Sequence, residues 1–298
     1  MSERTARDVG EFGLIAAVTA RLPGSAAVLL GPGDDAAVVA APDGRVVATT
    51  DMLVEGVHFR RDWSSAYDVG RKAAAANLAD VAAMGGTGTA LLVALAAPPG
   101  LPLEWALGLA DGLRDEAALV GAAVVGGDTV SADLLVVSVT ALGSLVGAPV
   151  TRTGARVGDA VVVAGRLGWA AAGLRLLHQG VTDGPLVDAH RRPLPPYALG
   201  PALARAGATS MCDVSDGLVA DLGHIAHGSG VGIALDASSL ADQAVSLEDV
   251  LTGGEDHALV ATLPGPPPEG CRVIGRVVDG DGVTVDGQPV SGGWEHFA

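Results

Sequence analysis

The sequence predicts an α/β (α+β) protein with two domains. Its 298 residues are long for one hydrophobic core and sufficient for two. Apolar residues make up 49% of the chain and aromatic residues only 3%, so we expect cores built from small aliphatic side chains. Short segments rich in Val, Leu and Thr alternate with longer helical patterns, and this alternation is typical of helices packed on a sheet.

The first half of the chain carries the clearest alternation. A helix near Phe12–Leu22 and a short strand near Ala36–Ala40 come first. Strands are then expected at Arg45–Thr50, Ala90–Ala96 and Leu134–Leu142, with helices at Ala66–Met84 and Leu103–Val120 between them. The predicted order of this series is β-α-β-α-β.

A connection containing Gly and Pro, Gly143–Pro149, separates this series from a second one. The domain boundary is therefore placed at about residue 148, which gives domains of residues 1–148 and 149–298. The expected elements of the second series are strands at Asp159–Ala164, Gly232–Asp236, His257–Leu263, Arg272–Val278 and Val283–Val285, and helices from Trp169 and over Gly217–His227.

Charge and cysteine content narrow the class of protein. The formal net charge is −16, so nucleic acid and anionic membrane are not expected as partners. Two cysteines, Cys212 and Cys271, are too few for a disulfide framework, and the charged N-terminal segment has no apolar signal core. We expect a soluble, cytoplasmic protein.

Common nucleotide-binding motifs are missing from the sequence. There is no GxxxxGK[ST] segment, and Lys72, the only lysine, lies in a helical pattern. Gly31-Pro32-Gly33 is followed by two aspartates, which breaks a GxGxxG pattern. A nucleotide site in this chain must therefore have another design.

Carboxylates recur beside Gly, Thr, Ser or Asn near the ends of the predicted elements. The six clusters are Asp34–Asp35, Thr49–Thr50–Asp51, Asn77 with Asp80, Asp128 after Gly126–Gly127, Asp213 with Ser215 and Asp216, and Glu255–Asp256. A surface turn or a helix cap explains each cluster taken alone. Their conjunction, on an acidic chain without a basic phosphate clamp, instead predicts several Mg²⁺ ions that hold phosphate groups.

In their order along the chain, these motifs resemble those of the bacterial thiamine-monophosphate kinases. The matching segments are GEFGLI, GPGDDAAVV, TTDMLVEGVHF, KAAAANLADVAAMG, GGDT, TRTGARVGD, DVSDGLVADLGHI, GGEDHAL and WEHF. They extend from Glu11 to Phe297. The family belongs to the aminoimidazole ribonucleotide synthetase-like superfamily.

The resemblance implies both an architecture and a reaction. The architecture is an N-terminal mixed-sheet domain that binds ATP and Mg²⁺ and forms a homodimer, followed by a C-terminal α/β domain. The reaction is the ATP-dependent phosphorylation of thiamine monophosphate to thiamine diphosphate by direct in-line transfer, in thiamine diphosphate biosynthesis. No covalent intermediate and no general base are expected, because the attacking phosphate is already an anion.

The resemblance also implies roles for individual residues. The implied magnesium ligands are Asp35, Thr49, Thr50, Asp51, Asp80, Asp128, Asp213 and Asp216. The implied ATP contacts are Gly127, Asp128, Arg152 and Ser215, and the implied substrate contacts are His58, Glu255 and Trp294. Taken on the residues alone, a surface arginine, a packed histidine and a tail tryptophan packed on its own domain remain alternatives for Arg152, His58 and Trp294.

The chain departs from the family pattern at two positions. Ala79 stands where Ser is common, and His257 where Tyr is frequent. Two related enzymes are disfavoured: a selenophosphate synthetase relies on an N-terminal Cys or selenocysteine, whereas the first cysteine here is Cys212, and a hydrogenase maturation enzyme needs a C-terminal Cys, whereas this sequence ends in WEHFA. A non-catalytic protein of the same fold is expected to lose several acidic residues that are retained here.

Overall fold

The computed structural model describes residues 5–30 and 38–294. The chain divides into two compact units. The first consists of Met1–Val81 and Thr87–Leu145, and the second of Ala82–Gly86 and Val146–Ala298. Asp34, Asp35 and the Gly31–Gly33 segment lie outside the described residues.

The first unit contains a mixed four-stranded sheet with helices. Its elements are α1 (Ala6–Thr19), β1 (Val28–Leu30), β2 (Val38–Val39), β3 (Val47–Val54), α2 (Ala66–Ala83), β4 (Gly86–Ala97), α3 (Leu103–Ala118), β5 (Ala123–Ser131) and β6 (Val136–Leu145). The strand order of the sheet is β3-β6-β4-β5. Strand β3 runs antiparallel to β6, whereas β4 runs parallel to β5.

Helix α1 begins earlier than the sequence pattern predicted. Thr5 and Asp8 form a capping box, in which the backbone N–H of Thr5 donates to the Asp8 carboxylate at 2.8 Å. The predicted start at Phe12 was wrong because it followed the apolar residues, whereas the cap determines where the helix begins.

Helices α2 and α3 cross with their backbones in contact. A Cβ atom at Gly70 would overlap the carbonyl oxygen of Leu109, and one at Gly112 would overlap that of Tyr67. Only glycine permits this approach. Both helices lie close to their predicted ranges.

Strand β5 was not predicted. It contains the Gly126-Gly127-Asp128 segment, which had a turn as its alternative explanation, and it pairs with β4 over Ala90–Ala97. A Cβ atom at Gly127 would overlap the carbonyl oxygen of Val93, so this strand position requires glycine. Pairing with β4 therefore outweighs the low strand propensity of two glycines.

The second unit contains a seven-stranded, mostly antiparallel sheet. Its elements are β7 (Ala160–Ala164), α4 (Trp169–His178), α5 (Pro185–Arg191), α6 (Leu199–Arg205), β8 (Ser210–Val214), α7 (Leu218–Ser229), β9 (Gly232–Leu235), α8 (Ala237–Leu240), α9 (Leu247–Thr252), β10 (Ala258–Leu263), β11 (Cys271–Val278), β12 (Val283–Val285) and β13 (Gln288–Pro289). The strand order is β13-β12-β9-β11-β7-β10-β8.

At one end of this sheet, the edge strand β8 and its neighbour β10 are buried along their whole length. Every residue of β8 and of β10 is buried, and α7 covers β8 with Leu218, Leu222 and Ile225. Strand β8 was missing from the prediction because its segment, Ser210–Val214, contains Ser, Cys and Asp and only one β-branched residue, which gives it little strand propensity. Within the described ranges, no helix has both the length and the hydropathy needed to cross a bilayer.

Candidate functional site

In the first unit, strand β3 and helix α2 bring three of the predicted site residues together. The Thr49 hydroxyl donates to the Asp80 carboxylate at 2.7 Å, and the Asp51 backbone N–H donates to the Asn77 side-chain oxygen at 2.9 Å. Asn77 is buried and donates in turn to the Ala73 carbonyl at 2.9 Å. The end of the helix is thus fixed on the strand that carries Asp51.

Thr50 lies on the opposite face of β3, because successive residues of a strand alternate. Its hydroxyl donates to the Val139 carbonyl at 3.0 Å and accepts from the Thr140 hydroxyl at 3.1 Å. The structure therefore separates the Thr50 side chain from those of Thr49 and Asp51. Three adjacent oxygen-bearing residues in the sequence do not share one side of the sheet.

Gly127 and Asp128 lie at the other edge of the same sheet. Strands β6 and β4 stand between β3 and β5, which corresponds to about 14 Å at the usual spacing of neighbouring strands. Asp128 is exposed and accepts the Thr129 backbone N–H at 2.9 Å. Asp51 and Asp128 are therefore on opposite edges within one chain.

His58 lies in a tight loop directly after β3. Its ring Nδ1 accepts the Val54 backbone N–H at 3.1 Å, and its own backbone N–H donates to the Val54 carbonyl at 3.0 Å. The Gly56 N–H donates to the Phe59 carbonyl at 2.8 Å, and the Phe59 side chain is buried. The loop is therefore closed by its own backbone and anchored in the core.

In the second unit, the loop between β8 and α7 meets the loop before β10. The Glu255 N–H donates to the Ser215 carbonyl at 2.8 Å, and a Cβ atom at Gly254 would overlap that same carbonyl oxygen. The Trp294 N–H donates to the Asp216 carbonyl at 2.9 Å. Ser215, Asp216, Glu255 and Trp294 are thus brought together, and 58% of the Trp294 surface is exposed.

Asp213 and His257 form a buried pair beside these loops. The His257 Nδ1 lies 3.0 Å from an Asp213 carboxylate oxygen, and the His257 backbone N–H donates to the Val214 carbonyl at 2.9 Å. His257 and Glu255 both have a positive φ, of 52° and 66°. Such backbone strain in non-glycine residues is concentrated at functional sites.

Two further buried carboxylates shape the same region. The Asp221 side chain accepts the backbone N–H groups of Asp216 and Gly217, both at 3.1 Å. The Asp256 side chain accepts the N–H of Ala170 at 2.8 Å and that of Gly168, at the start of α4. Burial raises the pKa of Asp221 to about 7, with the Asp213 charge adding to the shift, and burial raises the pKa of Asp256 to about 6.

Arg152 is exposed in the segment that precedes β7. Its neighbour Thr151 accepts the Met211 backbone N–H at 3.0 Å, so Arg152 directly follows a residue bonded to β8. The guanidinium is accessible to an anion, and a surface arginine remains the alternative. Asp35 is not among the described residues.

The donor set can be tested against the magnesium ions that the resemblance implies. In the part of the chain that the structure describes, no three His, Cys, Asp or Glu side chains form a group able to hold a metal ion. Magnesium is usually bound through one or two carboxylates, with water and substrate phosphates completing the shell. Asp51 and Asp80 in the first unit, and Asp213 and Asp216 in the second, supply oxygen ligands of this kind.

Sequence reasoning missed several residues that organise the site. It gave Asp221 no role, it included Asp256 only in a carboxylate cluster, and it treated His257 only as a departure from the family pattern. A signal was available for Asp221, which stands among the buried apolar residues Leu218 and Leu222. A carboxylate within an apolar helix face needs hydrogen-bond donors.

Comparisons with known proteins show the family to which the chain belongs. The model of the AIR synthase related protein N-terminal domain matches residues 33–145, and that of the C-terminal domain matches residues 156–288. The chain is 50% identical to the thiamine-monophosphate kinase of Mycobacterium tuberculosis, over 98% of this chain and 93% of that protein. The chain belongs to the thiamine-monophosphate kinase family.

Solved structures of the family share the fold. The thiamine-monophosphate kinase from Stenotrophomonas maltophilia is 36% identical, with a TM-score of 0.81 over 94% of this chain and 98% of that one. AaThiL complexed with AMPPCP and TMP is 34% identical, with a TM-score of 0.80 over 100% of both chains. The predicted two-domain α/β fold of the aminoimidazole ribonucleotide synthetase-like superfamily is thereby confirmed.

Proposed function

We propose that the protein transfers the γ-phosphate of ATP to thiamine monophosphate and so forms thiamine diphosphate. The observation that carries this proposal is the full-length similarity to AaThiL, whose structure holds AMPPCP and TMP. The 50% identity to a curated thiamine-monophosphate kinase supports the same reaction. The reaction belongs to thiamine diphosphate biosynthesis.

The chemistry is one direct displacement. A terminal phosphate oxygen of thiamine monophosphate attacks the γ-phosphorus of ATP, a new P–O bond forms, and the bond from the γ-phosphorus to the bridging oxygen breaks, which releases ADP. The attacking oxygen carries negative charge already, so the chain needs no general base. Its residues act by placing the two phosphorylated molecules in line.

The proposed ligands of Mg²⁺ are Asp35, Thr49, Thr50, Asp51, Asp80, Asp128, Asp213 and Asp216. Bound Mg²⁺ ions supply charge neutralisation between the phosphate groups and the acidic chain. The hydrogen bond from the Thr49 hydroxyl holds the Asp80 carboxylate, and the bond from the Asp51 backbone N–H to Asn77 joins the residue that carries the second carboxylate to the same helix. Both bonds support a role for this pair. For Thr50, whose hydroxyl bonds to β6, the proposal rests on the family resemblance.

The proposed ATP contacts are Gly127, Asp128, Arg152 and Ser215, and the proposed substrate contacts are His58, Glu255 and Trp294. In the second unit, the backbone hydrogen bonds that join Ser215 to Glu255 and Asp216 to Trp294 support a common binding surface. An exposed indole next to the Asp216 loop is able to stack on the cationic thiazolium ring of the substrate.

We further propose that residues 1–148 form an ATP- and magnesium-binding domain that dimerises, and residues 149–298 a C-terminal α/β domain. The four-stranded sheet supports a homodimer, because Met52, Leu92 and Val130 leave large apolar surface exposed on three of its strands. A cytoplasmic location is supported by the use of ATP and by two cysteines, Cys212 and Cys271, that carry no disulfide.

The proposal is tested by measuring ADP release with thiamine monophosphate as the acceptor. Thiamine and an aminoimidazole nucleotide precursor serve as control acceptors, and the product is identified as thiamine diphosphate by mass. Asp51→Asn and Asp128→Asn are expected to lower kcat by about a hundredfold or more while the protein stays folded. The matched control is Asp133→Asn, an exposed aspartate in the turn after β5, which keeps normal turnover. Normal turnover in both site variants contradicts the proposed magnesium-assisted mechanism.

A further inference from the structure

Lys72 is the only lysine of the chain, and the structure buries it. Lysine and arginine together number 18, so every other cationic residue of this group is an arginine. Lys72 lies on α2 with 3% of its surface exposed. A buried ammonium is retained only where it has partners, since an unpaired charge in the interior is costly.

The Lys72 ammonium reaches the loop that follows β3. Its Nζ donates to the backbone carbonyl of His58 at 3.2 Å. Both groups belong to the first unit, and they connect α2 to the short loop of residues 54–59. The anchored Phe59 and the turn at Val54 fix the two ends of this loop, whereas Lys72 fixes the peptide group of His58 itself.

The ring of His58 is held independently of its carbonyl. Because Nδ1 accepts the Val54 backbone N–H, the proton of the neutral ring is on Nε2. This contact therefore selects the tautomer with the proton on Nε2. Lys72 and the Val54 N–H together fix both the position of the residue and the tautomer that it presents.

We infer that Lys72 is a positioning residue for substrate binding: it holds His58 in the position in which this residue contacts thiamine monophosphate. This inference rests on the proposed function and on the proposed role of His58.

The test compares Lys72→Met with Lys72→Arg. Methionine keeps most of the length and apolar volume but cannot donate, whereas arginine keeps a donor. Lys72→Met is expected to raise KM for thiamine monophosphate about tenfold or more and to leave KM for ATP within about twofold. Lys72→Arg is expected to recover part of the loss. The matched control is Thr89→Val, which removes a side-chain donor from the Leu142 carbonyl elsewhere in the same unit and leaves both constants unchanged.

A second measurement uses the intact protein. With lysine labelled with ¹³C at Cε, the wild-type chain gives a single lysine signal, which is expected to shift when thiamine monophosphate is added and not when ATP is added alone. An unshifted signal, or an equal rise of both KM values in Lys72→Met, overturns the inference. These outcomes leave the proposed function intact when the wild-type protein forms thiamine diphosphate. A wild-type protein that forms none refutes the proposed function instead, and the inference with it.

Discussion

At the scale of single residues, the buried partners of the predicted ligands decide the geometry of the site. Asp213 is buried, and its carboxylate lies 3.0 Å from His257 Nδ1. His257 has a left-handed backbone, with φ at 52°. Asparagine and histidine tolerate this conformation better than most residues do. A substitution at His257 therefore tests the hydrogen bond only if the new side chain also suits the backbone.

His257→Asn is expected to retain most of the stability and activity, because the asparagine amide nitrogen occupies nearly the position of Nδ1 and can donate to Asp213. His257→Leu removes the donor and leaves the carboxylate buried. Its free energy of unfolding should therefore be about 1–3 kcal/mol lower than that of His257→Asn. Chemical denaturation of the two variants measures the difference. Equal stability of the Leu and Asn variants would show that the pair contributes nothing beyond packing.

Asp256 gives the fold a dependence on pH. Its folded pKa is raised to about 6 from 3.8, so the folded state binds a proton that the unfolded state releases between these values. The stabilising contribution of protonated Asp256 is complete below about pH 4 and is lost as the pH rises through about 6. The shift corresponds to about 3 kcal/mol.

Asp256→Asn is expected to remove this dependence. Relative to the wild type, the variant should be least stable at about pH 4. Between pH 4 and pH 7 its free energy of unfolding should rise by about 3 kcal/mol relative to that of the wild type, because only the wild type loses stability over this range. Chemical denaturation at a series of pH values measures this, with the exposed Asp183→Asn as the control. A difference in unfolding free energy between variant and wild type that stays constant from pH 4 to pH 7 would contradict this expectation.

Sequence reasoning proposed a set of site residues but not the residues that contact them. Asp51, Asp80, Ser215 and Glu255 were proposed because carboxylates recur beside Gly, Thr, Ser or Asn near element ends and because their segments resemble those of the family. Lys72 and His257 contact residues that are 14 and 44 positions away in the chain. No local pattern encodes such a contact, since it exists only after the sheet and helices have packed.

At the scale of elements, strand β5 depends on a glycine that no other residue can replace. Gly127→Ala places a Cβ atom on the Val93 carbonyl oxygen of β4, so the two strands must separate. The expected loss is about 2–4 kcal/mol of unfolding free energy. Thermal or chemical denaturation measures it.

The adjacent glycine provides a matched control. A Cβ atom at Gly126 would lie 3.3 Å from the end of the flexible Leu92 side chain, which can move aside. Gly126→Ala should therefore change the stability by less than about 1 kcal/mol. Equal losses in the two variants would mean that strand propensity, and not the contact with β4, determines the need for glycine.

Long helical patterns and strands rich in Val, Leu and Thr were the elements predicted well. Helices α2 and α3 and strands β6 and β7 lie within a few residues of their expected ranges. Strands β5 and β8 were missed because both have little strand propensity: β5 contains two glycines, and β8 contains Ser, Cys and Asp. Helix α1 was displaced because its start depends on a cap.

At the scale of the whole molecule, the exposed sheet residues are expected to lie between two copies of the chain. Met52 is 53% exposed on the β3 edge strand of the four-stranded sheet. Met52→Lys puts a charge into an interface that would otherwise be apolar, so the dimer should dissociate. Light scattering after size-exclusion chromatography measures the mass of the species in solution.

Val146→Lys is the control for the dimer, because Val146 is 89% exposed in the connection after β6 and should accept lysine without effect. A Met52→Lys protein that remains a dimer places the interface elsewhere. The sequence alone indicated a homodimer only through the family, since no periodicity distinguishes a sheet face covered by a second chain from one open to solvent.

The glycine crossing of α2 and α3 fixes the position of the proposed magnesium ligand Asp80, which lies about three helical turns away. At Gly70 and Gly112 the backbones of the two helices are in direct contact, with no side chain between them. This contact fixes the position of the α2 axis. Asp80 lies on the same helix. The position of its carboxylate relative to Thr49 therefore depends on two glycines that have no side chain. A single methyl group added at the crossing would shift the helix and displace the carboxylate without contacting it.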